Sequence, residues 1–139
     1  MDYSGNRIAL FPDSMVRLRA SRAFGPARVE VGTRRVGTIY LDNSENERKA
    51  PSARGSTGYV DKRIEPFSLF DLQAKLDLGR FLCGKGSSLS VDARVENLTD
   101  RRYSAFGYSY PLDERYTEFA TAFFPGATRS VFFGLTYGF

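Results

Sequence analysis

The chain has 139 residues, of which 42% are hydrophobic, 14% aromatic and 26% charged, and 20 basic against 16 acidic side chains give a net charge of +4. This length predicts one domain, and the apolar fraction is too high for a disordered protein. No histidine and one cysteine, Cys83, exclude a Ser-His-Asp triad, a histidine-ligated metal and an internal disulfide. The mild, dispersed positive charge does not favour nucleic-acid binding, which needs a basic stripe or arm.

Apolar and polar residues alternate along most of the chain, and this period of two predicts β-strands. Five segments show it, in the order 16–21, 28–41, 67–78, 88–97 and 127–139. In the second segment the phase blurs between Gly32 and Gly37, where we expect a bulge. Helical spacing is hard to find. The sequence therefore predicts an all-β protein with about five long strands.

The connections between these segments alternate in length. They are short at Gly25-Pro26 and at residues 80–87, and long at residues 42–66 and 98–126. In an antiparallel up-and-down meander, this alternation places the short turns at one edge and the long loops at the other. Outer-membrane β-barrels have this arrangement as a rule, whereas long structureless loops are uncommon in compact soluble domains.

Strand length and charge favour a membrane sheet over a soluble one. Apart from the first, the segments are longer than the five or six residues of average strands, and they reach the roughly 9 to 11 residues of transmembrane strands. Their polar faces carry charges of both signs in mid-strand, as a wet barrel lumen permits: Arg17, Arg19, Asp71, Lys75, Asp92 and Arg94. The alternative is a stand-alone small β-sandwich or an oligomeric β-barrel pore, because amphipathic strands build those as well.

Four stretches of sequence carry motifs of one family. ARVENLTDRRY (93–103) resembles that family's penultimate strand with its exit, and FPGATRSVFFGLTYGF (124–139) resembles the final strand with its terminal phenylalanine. RRVGTIYLDNSEN (34–46) is similar to an earlier strand and loop, and GNRIALFP (5–12) is similar to the loop that enters such a strand. The family is the TonB-dependent outer-membrane receptors, which take up iron-siderophores and vitamin B12.

The resemblance implies that residues 1–139 are the C-terminal part of a transmembrane β-barrel, with neither the plug domain nor a signal peptide. The complete receptor closes about 22 strands, so we expect a fragment or a truncated reading frame. Its implied location is the cell outer membrane of a Gram-negative bacterium, in contact with lipid. The implied function, uptake of an iron-siderophore or similar metal chelate, belongs to the complete receptor, which reaches TonB only through the missing N-terminal part.

The resemblance also indicates which residues contact partners. We expect weak ligand contacts in the aromatic, charged segment 104–124, where four side chains could stack on or pair with an anionic chelate: Tyr108, Tyr110, Arg115 and Tyr116. The alternative is that these aromatic residues pack the segment against its neighbours or lie in the outer aromatic girdle. Alternate residues of the last segment match the signal read by the barrel-assembly machinery: Val131, Phe133, Leu135, Tyr137 and Phe139.

No catalytic residue, metal site or cofactor is predicted. No nucleophilic side chain has an evident base beside it in the sequence, and nucleophilic catalysis needs such a pair. We therefore expect that the chain is not an enzyme.

Overall fold

The computed structural model describes residues 7–43, 62–79, 88–112, 114 and 119–138. Within these residues the chain forms nine strands: β1 (Met15–Phe24), β2 (Ala27–Val36), β3 (Ile39–Tyr40), β4 (Arg63–Ile64), β5 (Phe67–Asp77), β6 (Ser88–Glu96), β7 (Ser104–Pro111), β8 (Phe119–Pro125) and β9 (Ser130–Gly138). The strands pair antiparallel in β3–β4, β5–β6, β6–β9 and β7–β8. The prediction of an all-β protein is confirmed.

The strands belong to two compact units. The first unit combines Met1–Met15, Val36–Phe67 and Arg102–Gly126, and it holds the two-stranded sheets β3–β4 and β7–β8. The second unit combines Val16–Arg35, Ser68–Arg101 and Ala127–Phe139, and it holds a five-stranded antiparallel sheet.

The five-stranded sheet has the order β1-β2-β5-β6-β9, so its long strands lie side by side in chain order. They are 9 to 11 residues long. Gly25 and Pro26 form the turn between β1 and β2, and the φ of 59° at Gly25 is one that glycine adopts without strain. The predicted short connection at residues 80–87 lies outside the described residues. Among the described strands, β1 and β9 are the edges of this sheet, and the sheet is not closed into a barrel.

The register separates an apolar face from a charged face. Leu76 of β5, Val91 of β6 and Leu135 of β9 stand side by side, as do Ala74, Ala93 and Phe133. On the opposite face one row is Lys75, Asp92 and Gly134, and the next is Gln73, Arg94 and Phe132. The period of two in the sequence therefore corresponds to the two faces of this sheet.

One predicted strand and one predicted connection need correction. Segment 28–41 is not one strand with a bulge, because β2 ends at Val36 and β3 pairs separately with β4. The Gly37 N–H donates to the Ser14 carbonyl at 2.8 Å, and a Cβ at Gly37 would overlap the Asp13 carboxylate. Segment 98–126 is not a structureless loop, because it contains the β7–β8 hairpin.

Among the described residues of the first unit, four apolar side chains are buried. Its buried apolar side chains are Val36, Leu41, Ile64 and Phe67, which come from β2, the end of β3, β4 and the start of β5. Lys62 is buried beside them, and its ammonium group contacts the Asp42 carboxylate at 2.8 Å. In the second unit Leu69 is buried, while most of the large apolar side chains remain exposed.

Candidate functional site

One face of the β7–β8 hairpin carries an exposed aromatic row. Alternate positions of β7 place Phe106, Tyr108 and Tyr110 on this face, and Phe124 of β8 stands opposite Phe106. The Tyr108 and Tyr110 ring centroids are 5.6 Å apart, and the Tyr108 and Phe124 centroids are 6.0 Å apart. All four rings are exposed. The row is an open surface on which a planar group could stack.

On the other face of this hairpin, Gly107 lies close to its neighbours. A Cβ built on Gly107 would lie 2.9 Å from the Ala122 carbonyl oxygen and 3.2 Å from Cδ1 of Leu41. Only a residue without a side chain allows this close approach, so Gly107 is buried while the neighbouring tyrosines face outward.

Two of the four predicted ligand contacts are thus brought together. Tyr108 and Tyr110 lie on one exposed face of β7, whereas Arg115 and Tyr116 lie outside the described residues. A tilted contact between exposed rings fits both a ligand platform and an aromatic girdle. Ligand binding by these residues stays a prediction.

Four of the five residues expected to form the assembly signal lie along one face of edge strand β9: Val131, Phe133, Leu135 and Tyr137. Phe133 is 81% exposed and Leu135 is 72% exposed, and Val131 and Tyr137 on the same face are also more than half exposed. Phe139 lies outside the described residues. An exposed apolar edge strand is a natural template for strand addition, and recognition by an assembly machinery stays a prediction.

The charged face of the five-stranded sheet contains a hollow of about 140 Å³. Its lining is polar and comes from four strands: Arg19, Glu30, Gly32, Asp71, Leu72, Gln73, Arg94 and Glu96. Ion pairs at 3.7 Å (Arg19–Glu30) and 3.3 Å (Arg94–Glu96) balance part of its charge. No group of three histidine, cysteine, aspartate or glutamate residues suited to a metal ion occurs in the described part of the chain.

The sequence did not indicate this hollow. Its members lie far apart in the chain, and they meet only because β1, β2, β5 and β6 are neighbours in the sheet. A signal was present in segment 15–36, which contains six arginines and one acidic residue, Glu30. Charge counted over the whole chain concealed this local excess.

In the second unit, Asn97 joins the two C-terminal sequence motifs. Its Nδ2 donates to the Arg101 carbonyl at 2.9 Å and to the Ala127 carbonyl at 3.0 Å, and its Oδ1 accepts the Arg101 N–H at 2.9 Å. Asp100 makes a second link, because its carboxylate accepts the Arg129 N–H at 2.9 Å. Asn97 and Asp100 have φ values of 50° and 52°, a conformation that asparagine and aspartate tolerate better than most residues.

In the first unit, Tyr103 makes the corresponding link. Its carbonyl accepts the Gly126 N–H at 2.8 Å, and its ring covers the Gly126 Cα where a side chain would otherwise stand. The ring also contacts Phe67, with centroids 4.4 Å apart. The NLTDRRY and FPGATR stretches that suggested the family are therefore joined in space through Asn97, Asp100 and Tyr103.

These features define an all-β protein of antiparallel sheets with a five-stranded sheet that is charged on one face and apolar on the other. No protein-family model and no curated protein matches the chain. In the described part of the chain, none of the helical structure is long or apolar enough to cross a membrane.

Proposed function

We propose that the chain forms the C-terminal strands of a TonB-dependent receptor barrel in the outer membrane of a Gram-negative bacterium. The complete receptor takes up an iron-siderophore or similar metal chelate. The observation that supports this most is the apolar face of the five-stranded sheet, on which Leu18, Val131, Phe133 and Leu135 are more than half exposed. Lipid is the environment that suits such a face.

The dimensions of the sheet agree with this proposal. Its strands have 9 to 11 residues, which matches the roughly 9 to 11 residues of transmembrane β-strands. The opposite face carries Lys75, Asp92 and Arg94, which suit a water-filled lumen. A stand-alone sandwich would cover its apolar face with a second sheet, and the exposure of Phe133 favours lipid over that alternative.

Arginine substitutions on the two faces test the membrane environment. Val91 lies near the middle of β6 on the apolar face, between Leu76 and Leu135, while the adjacent Ser90 points to the charged face. In lipid vesicles, Val91→Arg should lower the free energy of unfolding by about 2–4 kcal/mol, because an arginine near the bilayer midplane is poorly solvated. Ser90→Arg is the matched control and should change it by less than about 1 kcal/mol. Urea titration followed by circular dichroism measures both, and equal effects would contradict a lipid-facing surface.

The molecular mass of the polypeptide distinguishes the oligomeric pore from the receptor. In the part of the chain that the structure describes, β1 and β9 are the edges of the sheet, and in lipid either further strands of the same polypeptide or other copies of this chain would cover them. An immunoblot of outer-membrane fractions with an antibody against residues 42–66 distinguishes the two. A band several times heavier than 15.6 kDa supports the receptor, a membrane band at 15.6 kDa supports the pore, and a soluble band at that mass contradicts both.

A further inference from the structure

The β1–β2 hairpin carries a local excess of positive charge. Between Met15 and Val36 the sequence has one acidic residue, Glu30, and six basic residues: Arg17, Arg19, Arg22, Arg28, Arg34 and Arg35. Glu30 pairs with Arg19 at 3.7 Å. The hairpin therefore contains five arginines that no acidic residue of its own sequence neutralises.

Three of these five arginines have other partners. Arg28 donates to the Ser21 hydroxyl at 2.8 Å, and Arg35 donates to the Ser68 hydroxyl at 3.4 Å. The Arg22 guanidinium lies 5.2 Å from the centroid of the Phe24 ring. Arg17 and Arg34 are the two that make neither an ion pair nor a side-chain hydrogen bond within the described part of the chain.

Arg17 and Arg34 stand opposite each other on the charged face. Only Gly25 and Pro26 separate the two strands, so counting back from the turn places residue 32 opposite 19 and residue 34 opposite 17. The position of Gly32 agrees with this register, because a Cβ built on Gly32 would lie 3.8 Å from Cγ of Arg19. Like charges directly opposite across a strand pair destabilise it.

Arg34 also has a buried hydrogen-bond donor without an acceptor. Its Nε is buried and has no hydrogen-bond acceptor. A buried N–H without a partner is costly and calls for an explanation such as a bound ion. The guanidinium fork is the side-chain group best shaped to hold a carboxylate or phosphate through two parallel hydrogen bonds.

We propose that Arg17 and Arg34 together bind an oxyanion, the carboxylate or phosphate group of a small-molecule ligand. Neighbouring strands lie about 4.8 Å apart, so two guanidinium groups on one face can contact the same anion. Two residues further along each strand, Arg19 and Gly32 line the hollow of about 140 Å³, which has room for polar groups of the same ligand. The site needs only that the charged face meets water, so it does not depend on the proposed transport function.

Calorimetric titration of the full chain in neutral detergent tests the site. Citrate and inorganic phosphate are added separately at constant ionic strength, with chloride as the reference anion. We expect saturable binding of citrate, phosphate or both, and Arg17→Gln and Arg34→Gln should each weaken it about tenfold, because each removes charge-assisted hydrogen bonds. Arg22→Gln is the matched control on the opposite face of the same hairpin, and it should leave the affinity unchanged.

The outcomes separate the sources of the oxyanion. Binding of citrate alone assigns a carboxylate ligand, and binding of phosphate alone assigns a phosphorylated one. Arg34→Lys, which keeps the charge and loses the fork, should bind more weakly than the parent chain but better than Arg34→Gln. Circular dichroism checks the fold of each variant. If Arg34→Gln does not fold, the anion affinity of Arg17→Gln, on the exposed edge strand, tests the proposal. Failure of both anions to bind, or equal binding by Arg17→Gln and Arg22→Gln, would overturn the proposal.

Discussion

Replacing Asn97 by alanine should lower the free energy of unfolding of the folded chain by about 3–4 kcal/mol. Asn97 is 4% exposed, and its side chain donates to the Arg101 and Ala127 carbonyls and accepts the Arg101 N–H. Truncation leaves these three backbone groups without their partner, at about 1 kcal/mol or more each. Alanine also adopts the φ of 50° less readily than asparagine does. Urea titration in detergent, followed by circular dichroism, measures the change.

Two further variants distinguish the contribution of the Asn97 side-chain hydrogen bonds from that of its backbone conformation. Asn97→Gly removes the same hydrogen bonds but accepts the positive φ, so it should be about 1 kcal/mol less destabilising than Asn97→Ala. Asp100→Gly is the matched control, because Asp100 has a φ of 52° and its exposed carboxylate accepts one hydrogen bond, from Arg129. Asp100→Gly should lower the free energy of unfolding by about 1 kcal/mol. A loss at Asn97 no larger than the loss at Asp100 would contradict the central role of the amide.

The five long strands were predictable because the apolar residues of each strand fall mainly on one of its two faces. In β9 four of the five large apolar residues fall on odd positions whatever the partner strand is, so the period is visible in the sequence alone. The end of β2 was not predictable in this way. Val36 continues the β pattern, and the residue that follows the strand, Gly37, still donates its N–H to the carbonyl of Ser14, a partner distant in sequence.

The β7–β8 hairpin shows a second limit of sequence interpretation. β7 has the alternation Phe106, Tyr108, Tyr110, but its partner strand Phe119–Pro125 has no matching period. The sequence therefore predicts an aromatic loop where the structure has a hairpin. The pair Arg17 and Arg34 was hidden for a related reason. Seventeen positions separate them in the sequence, and only the register of the hairpin brings the two charges to one place.

The resemblance contributed information of another kind. It singled out the NLTDRRY and FPGATR stretches as units, although nothing in their periodicity indicates that they meet. The structure joins them through Asn97 to Ala127, Asp100 to Arg129 and Tyr103 to Gly126. Short polar motifs with a fixed spacing can therefore mark a hydrogen-bonded connection between two strands, which a period-based analysis does not detect.

The contact between Tyr103 and Gly126 predicts a strong energetic coupling. A Cβ at Gly126 would overlap the Tyr103 ring, and the ring is itself in contact with Phe67 at a centroid distance of 4.4 Å. Gly126→Ala should therefore force the ring from its place and cost about 2–3 kcal/mol of unfolding free energy, as overpacking commonly does. Gly32→Ala is the matched control. Its built Cβ has only ordinary contacts at 3.8 to 3.9 Å, so its effect should be within about 0.5 kcal/mol.

A double-mutant cycle separates this clash from an intrinsic need for glycine at position 126. Tyr103→Ala removes the ring, so in that background Gly126→Ala should cost less than about 1 kcal/mol, and the coupling energy should be about 2 kcal/mol. If glycine were instead required by its backbone conformation, the cost at 126 would be the same in both backgrounds. Equal costs would thus contradict the packing explanation, whereas rescue by Tyr103→Ala would establish that the contact between the Tyr103 ring and Gly126 sets the need for glycine at this position.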